Sequence, residues 1–189
     1  MLKVLISALA VAGAVQAQAQ TVTYATDPAH TFVTFEINHF GTSTNRGRFD
    51  RKAGVVRLDR TARTGSVELR IETASVNTGT PAFDKTLRGK DFFNSANHPS
   101  VRFVATDFSF DGDKVSQVSG QLTLLGKTHP VTLRATQFGC YENRVLRREV
   151  CGGDFETVIQ RSHWGLNWGI AFGFADNVRL LIQVEAIAQ

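Results

Sequence analysis

The chain has 189 residues, 42% of them apolar, with 21 Lys and Arg against 17 Asp and Glu and a formal net charge of +4. After removal of a leader, that length suits one domain with a substantial core. The basic excess is not a nucleic-acid footprint, because its densest group, Arg144, Arg147 and Arg148, is interleaved with Glu142 and Glu149; it leaves room only for a weak attraction to anionic head groups or phosphates.

In chain order, the first segment is a leader. Lys3 gives a positive start, Val4 to Val15 carries no charge, and Ala17-Gln18-Ala19 supplies a small-x-small cleavage pattern. This predicts a secretory signal peptide over residues 1–19, cut after Ala17 or Ala19, too short for a membrane anchor. The expectation is an exported, soluble protein with no stable membrane insertion. Residues 20–189 then form one domain.

From residue 20 onward the dominant period is two, the signature of half-buried strands. Val33, Phe35 and Ile37 share a face that ends in His39. Val67, Leu69 and Ile71 alternate with Glu68, Arg70 and Glu72, and Val101, Phe103 and Ala105 with Arg102, Val104 and Thr106. Gln121 to Leu124 runs into Gly126-Lys127 and returns as Val131 to Ala135, with Leu122 and Leu124 facing Leu133. The last strand, Val178 to Ala186, places Leu180, Ile182 and Val184 together. Asp111-Gly112, Arg63-Thr64-Gly65 and Leu125-Gly126-Lys127 are the turns. The pattern predicts an all-β antiparallel sandwich or barrel.

One helical insertion interrupts it near residues 80–94. Thr80-Pro81 reads as an N-cap and first helical position, Phe83 and Leu87 share a face, and Gly89 ends the pattern before Asp91-Phe92-Phe93-Asn94. Near the C-terminus, HWGLNWGIAFGF (His163 to Phe174) alternates strictly: even positions are large and apolar, odd ones small or polar. Read as a strand, its bulky face needs cover, since exposed apolar area costs about 25 cal/mol per Å². Trp164, Leu166 and Trp168 are therefore expected in the wall or mouth of an apolar pocket, with a plain β core as the alternative.

The fourteen phenylalanines, against two tyrosines and one methionine, fit either a Phe-rich core or a cavity for a long hydrocarbon ligand. Cys140 and Cys151 are the only cysteines, and in an oxidising compartment they are expected to pair. The histidines His30, His39, His98, His129 and His163 match no metal-ligand spacing. There is no GxSxG elbow or phosphate-binding loop, and Asp111-Gly112-Asp113 is better explained as a turn than as a calcium loop. No enzyme activity, metal or cofactor is expected.

Several segments together resemble the YceI-like family. Asp27-Pro28-Ala29-His30-Thr31 through Phe35, with His39-Phe40-Gly41, resembles its opening D-x-x-H-[ST] block. Asp91-Phe92-Phe93 followed by His98-Pro99 to Phe103, Gly120 to Val131, Arg161-Ser162-His163-Trp164-Gly165, and Asp176-Asn177-Val178 are similar to its later motifs, in the same order. Two departures stand out: His163 replaces the family's usual Asp, and Cys140 and Cys151 are not general to it. Gly47-Arg48-Phe49 keeps the expected Gly-x-Phe.

The resemblance implies a lipocalin-like antiparallel β-barrel in the periplasm that binds, carries or stores a polyisoprenoid lipid, such as an isoprenoid quinone. It allows a homodimer without requiring one. The expected apolar pocket comprises Val33, Phe35, Ile37, Phe83, Leu87, Phe92, Phe93, Phe103, Leu122, Leu124, Leu133, Trp164, Leu166, Trp168 and Ile182. His39, Asn94 and Arg161 are the candidates for a polar mouth. The competing readings are a packed barrel acting in stress or interaction, and a lipid-modifying enzyme using His39 and His163.

Overall fold

The computed structural model describes residues 20–189; the predicted leader over residues 1–19 lies outside the described residues. Eleven strands form one sheet: β1 (Val22–Thr26), β2 (Phe32–His39), β3 (Ser43–Phe49), β4 (Lys52–Asp59), β5 (Thr64–Glu72), β6 (Val76–Asn77), β7 (Ser100–Asp111), β8 (Lys114–Leu124), β9 (Lys127–Asn143), β10 (Arg148–Gln160) and β11 (Asn177–Ala188). All pairings are antiparallel. β1 and β2 lie end to end along β11. β3 and β4 likewise continue one another, as do β5 and β6. The result is an eight-stranded closed barrel, with β1 pairing both β4 and β11. Closure leaves no long unpaired edge to template aggregation.

Register sorts the side chains. Leu69, Phe103 and Leu122 stand opposite one another across β5, β7 and β8, and Val33 and Phe35 stand opposite Ile182 and Leu180. Because strand side chains alternate, these rows face inward while their sequence neighbours face water. The outward neighbours pair as ions: Arg102 with Glu68 at 2.9 Å, Arg46 with Glu36 at 2.7 Å, and Arg179 with Glu156 at 2.6 Å. Such exposed pairs set register more than they stabilise, each contributing up to about 1 kcal/mol.

Turn chemistry fits the hairpins. Leu125 and Gly126, both at positive φ (50° and 74°), connect β8 to β9 as a two-residue turn whose twist matches the strands. Asp111 pairs with Lys114 across Gly112, φ 62°. Strands β1, β3, β4, β6 and β10 are the ones the periodicity does not single out. Glycines interrupt three of them: Gly47 in β3, Gly54 in β4, and Gly152 and Gly153 in β10. A Cβ at Gly152 or Gly153 would run into the carbonyl oxygens of Val184 or Gln137, so β10 needs glycine for close strand approach.

Helix α1 (Pro81–Arg88) has Pro81 in its first turn and extended Thr80 as its N-cap. The Thr80 side chain, however, caps nothing. Asp84 does the local work instead: its carboxylate accepts from the Thr78 amide at 2.7 Å and the Thr78 hydroxyl at 2.6 Å. After Gly89 the chain coils through residues 90–98 on a run of backbone hydrogen bonds, several of them to the carbonyls of Gly89 and Asn94.

The HWGLNWGIAFGF segment is not a strand. It is two short 3₁₀ turns, Arg161–Trp164 and Ile170–Phe172, with Gly165, Gly169 and Gly173 all at positive φ (85°, 77° and 91°). A glycine every four residues reverses the backbone, which extended structure does not permit. Alternation of size here reflects a large residue placed before each reversal: Trp164, Trp168 and Phe172.

Candidate ligand cavity

The inward rows do not meet at the barrel centre. They enclose a cavity of about 330 Å³, walled by β2, β3, β5, β7, β8, β9, β10 and β11 and roofed by α1 and the coil after it. A second space of about 90 Å³ continues toward the opposite end, sharing Leu69, Phe103, Leu133 and Ile182 with the first. The two apolar spaces lie end to end along the strands, with these four residues between them.

The roof is aromatic. Phe93 stacks on Phe49 at 5.2 Å and approaches Phe35 at 6.4 Å, while Phe92 packs on Trp168 at 5.2 Å. Phe83 and Leu87 reach the cavity from one face of α1, as i and i+4 spacing directs. Gly47 of the Gly-x-Phe motif leaves room for the Phe35 ring, which a Cβ at that position would strike. The motif thus serves the cavity wall.

Of the expected apolar lining, Val33, Phe35, Ile37, Phe83, Leu87, Phe92, Phe93, Phe103, Leu122, Leu124, Leu133, Leu166, Trp168 and Ile182 all border the cavity. Trp164 does not. It is buried behind the wall, where its indole N–H donates to the Leu122 carbonyl at 3.0 Å and its ring meets His129 at 5.1 Å. Trp164 and Trp168 would share one face only on a strand; the intervening reversal at Gly165 separates them. Several lining residues went unanticipated, among them Phe49, Ile159, Phe174, Val178 and Leu180. Leu180 already shared a face with Ile182 in the sequence, whereas Phe49 and Ile159 lie on strands the periodicity did not single out.

The polar candidates divide. His39 borders the cavity and packs beside Phe40 and Phe174. Asn94 is not at the cavity. It sits at φ 44° as a turn residue, its carbonyl accepting from Asn97 and His98 and its side chain from Asn97. A left-handed Asn that satisfies its own loop is turn chemistry, not ligand chemistry.

Arg161 is the unusual member. It is 6% exposed and borders the cavity. Its Nε donates to the Ala175 carbonyl at 2.9 Å and its Nη1 to the Leu166 carbonyl at 2.7 Å, while Nη2 makes no hydrogen bond among the described residues. Burial holds the guanidinium below its ordinary pKa, with Asp176 nearby opposing the shift. Asp176 itself accepts from the Ser162 amide at 2.8 Å and hydroxyl at 2.7 Å. The Arg-Ser and later Asp motifs therefore tie the two ends of the loop over residues 161–176 together, and Trp164 anchors that loop to the barrel through the Leu122 carbonyl.

His163 is exposed, stacked against His129 at 5.8 Å, whereas His39 belongs to the Phe40–Phe174 cluster. The two histidines proposed for an enzyme thus lie in separate clusters. Cys140 and Cys151 are disulfide-bonded, directly opposite on β9 and β10. Glu149 lies beside them, but sulfurs in a disulfide are not thiolate ligands, so this trio is no metal centre.

The YceI-like domain model matches residues 24–186. Protein YceI of Escherichia coli O157:H7 is 40% identical over 161 residues, covering 85% of this chain and 83% of its own. A UPF0312 protein of Pseudomonas paraeruginosa is 32% identical over the full length of both chains. Among solved structures, BcnA of Burkholderia cenocepacia matches with a TM-score of 0.70 at 24% identity, over 85% of this chain and 98% of its own. A polyisoprenoid binding domain from Saccharophagus degradans matches with a TM-score of 0.62 at 18% identity, over 89% and 99%; at these identities both show the shared barrel. With its motifs, its barrel and these matches in agreement, the chain belongs to the YceI-like family.

Proposed function

We propose that this protein is a non-catalytic periplasmic carrier that holds a long-chain polyisoprenoid lipid, such as an isoprenoid quinone, inside its barrel. The observation that carries this reading is the barrel cavity lined almost wholly by apolar side chains, with a second apolar space beyond Phe103. A volume of about 330 Å³ falls within the range of ligand pockets, and its apolar lining suits an apolar ligand. A packed barrel would have no such interior. The polyisoprenoid binding domain from Saccharophagus degradans with the same fold supports the choice of ligand class.

Recognition is expected to be dominated by the tail. Each buried methylene contributes about 0.8 kcal/mol, so a few isoprene units bind tightly without strong polar contacts. The head group would meet Arg161, whose free Nη2 offers a donor to a carbonyl or hydroxyl oxygen, and His39. Export rests on the leader read from residues 1–19, and residues 20–189 would act as one domain.

The test is to purify the protein from the periplasm without detergent, extract it with organic solvent and analyse the extract by mass spectrometry. A stoichiometric isoprenoid supports the carrier and identifies its head group. Folded protein that yields none overturns it.

A further inference from the structure

The cavity opens at a rim that is itself apolar and exposed. Thr86 and Trp168 both line the cavity and both reach solvent, Trp168 with 47% of its surface. From Trp168 an aromatic ladder crosses the rim: Phe92 at 5.2 Å on one side, Phe174 at 5.1 Å on the other, then Phe40 at 4.6 Å from Phe174. Phe40 is 53% exposed, lifted by a turn in which Phe40 and Gly41 both have positive φ. Phe172, at the tip of the second 3₁₀ turn, is 81% exposed. Isolated surface phenylalanines need no explanation, but a contiguous set continuous with a cavity does.

Charge around this rim has one dominant sign. Lys85 and Arg88 on α1, Lys90 after it and Lys127 at the start of β9, beside the β8–β9 turn, are exposed or half-exposed, and none makes an ion pair among the described residues. Of the nearby carboxylates, Asp84 is buried, Asp176 half-buried and Asp91 exposed, so the charge that faces solvent is mostly positive. The opposite end differs. Its exposed Val145 and Leu146 stand among Arg144, Arg147 and Arg148 with Glu142 and Glu149, and neither borders a cavity.

We propose that the rim formed by Phe40, Trp168 and Phe172, flanked by the cations of α1 and the β8–β9 turn, docks this protein on the surface of an anionic lipid bilayer with the cavity mouth facing the lipid. Aromatic rings are suited to the head-group layer, and unpaired Lys and Arg beside them are drawn to anionic lipids. The contact is peripheral and reversible. It rests on the carrier reading for its purpose, since a mouth seated on the bilayer lets a lipid tail pass without crossing water.

The experiment is flotation of the purified protein with vesicles of phosphatidylethanolamine and phosphatidylglycerol, against vesicles of phosphatidylcholine alone. Binding is expected to the anionic vesicles, falling with added salt. Phe172→Ser and Phe40→Ser should each weaken it by about tenfold, and Lys90→Glu by about fivefold. Phe172 has no ring partner within the ladder, so its variant should keep the wild-type circular dichroism and the same extracted lipid. No binding to anionic vesicles, or equal binding by wild type and all three variants, overturns the proposal. So does loss of a homodimer in sedimentation as the sole effect of Phe172→Ser, which assigns the rim to a second copy of the chain. Vesicle binding by protein that yields no isoprenoid would sink the carrier reading while leaving the docking surface standing.

Discussion

Phe103 and Leu124 are buried to 5% of their surface and face the cavity, whereas Glu68 lies on the outer wall paired with Arg102. A carboxylate placed in that apolar interior has no partner and stays protonated or opens the wall to water. Phe103→Glu and Leu124→Glu should therefore abolish lipid retention, while Glu68→Gln leaves it unchanged; solvent extraction of each folded variant makes the comparison. Ile37→Trp, which fills the cavity without adding charge, should also exclude the lipid, and it guards against misfolding of the charged variants. A second residue-scale feature is the Asp27–His30 pair of the opening motif, 2.7 Å apart and exposed. The Asp27 hydrogen bond raises the His30 pKa above its ordinary 6.5, and the same bond lowers Asp27 below 3.8. The contribution of His30 is thus full below pH 6.5 and lost as pH climbs through its raised value. That of Asp27 is full above 3.8 and lost as pH falls through its lowered one. An NMR titration should find His30 titrating above 6.5, and Asp27→Asn should bring it back down; an unchanged His30 in that variant would refute the pairing.

Among elements, the β9–β10 hairpin carries the disulfide. Cys140 and Cys151 are opposite in register, and Cys151 is buried toward the second space of the interior. Their loop spans a sequence separation of 11, for which chain entropy gives about 3 kcal/mol. Replacing both with alanine should lower the thermal midpoint by about 10 °C for a chain of this size, read by circular dichroism, with the lipid still retained at ambient temperature. A midpoint that does not move would show that register alone holds these strands. The loop over residues 161–176 differs in kind. Beside the backbone bonds of its short turns, it relies on Arg161 reaching the Ala175 and Leu166 carbonyls and on Asp176 holding Ser162. Its conformation is held by left-handed glycines and by side chains that bond within the loop, which is why an alternating pattern there could fold as turns.

For the whole molecule, closure and the cavity are linked. Eight strands make a barrel wide enough for side chains to fill or for one ligand to occupy, and here the side chains leave space. The interior void forfeits dispersion contacts that a bound tail would restore. A ligand that binds only the folded barrel stabilises it by mass action, so solvent-stripped and refolded protein should melt several degrees below protein as isolated, and added isoprenoid should recover the difference. Equal midpoints in a calorimeter would argue that the interior is not the ligand's site.

The sequence by itself determined the all-β class, the inward rows of β2, β5, β7, β8, β9 and β11, the helical insertion at α1 and the pairing of the cysteines. Each of these is local: period two, turn residues, Pro81 after Thr80, and a single way for two cysteines to pair. Fourteen of the fifteen apolar residues expected in the pocket border it, and for the eight of them on strands the reason is the same, because facing is set by strand parity before any partner is known. Only the tertiary structure decided what parity cannot carry. It showed that the inward rows leave a void and that Trp164 seals the wall while Trp168 stands at the rim. It turned Asn94 back on its own loop, and it brought Phe40 from the β2–β3 turn against Phe174 from a distant one. Volume, burial and rings meeting across 134 positions of chain depend on how the barrel closes, and closure is a property of all eight strands together.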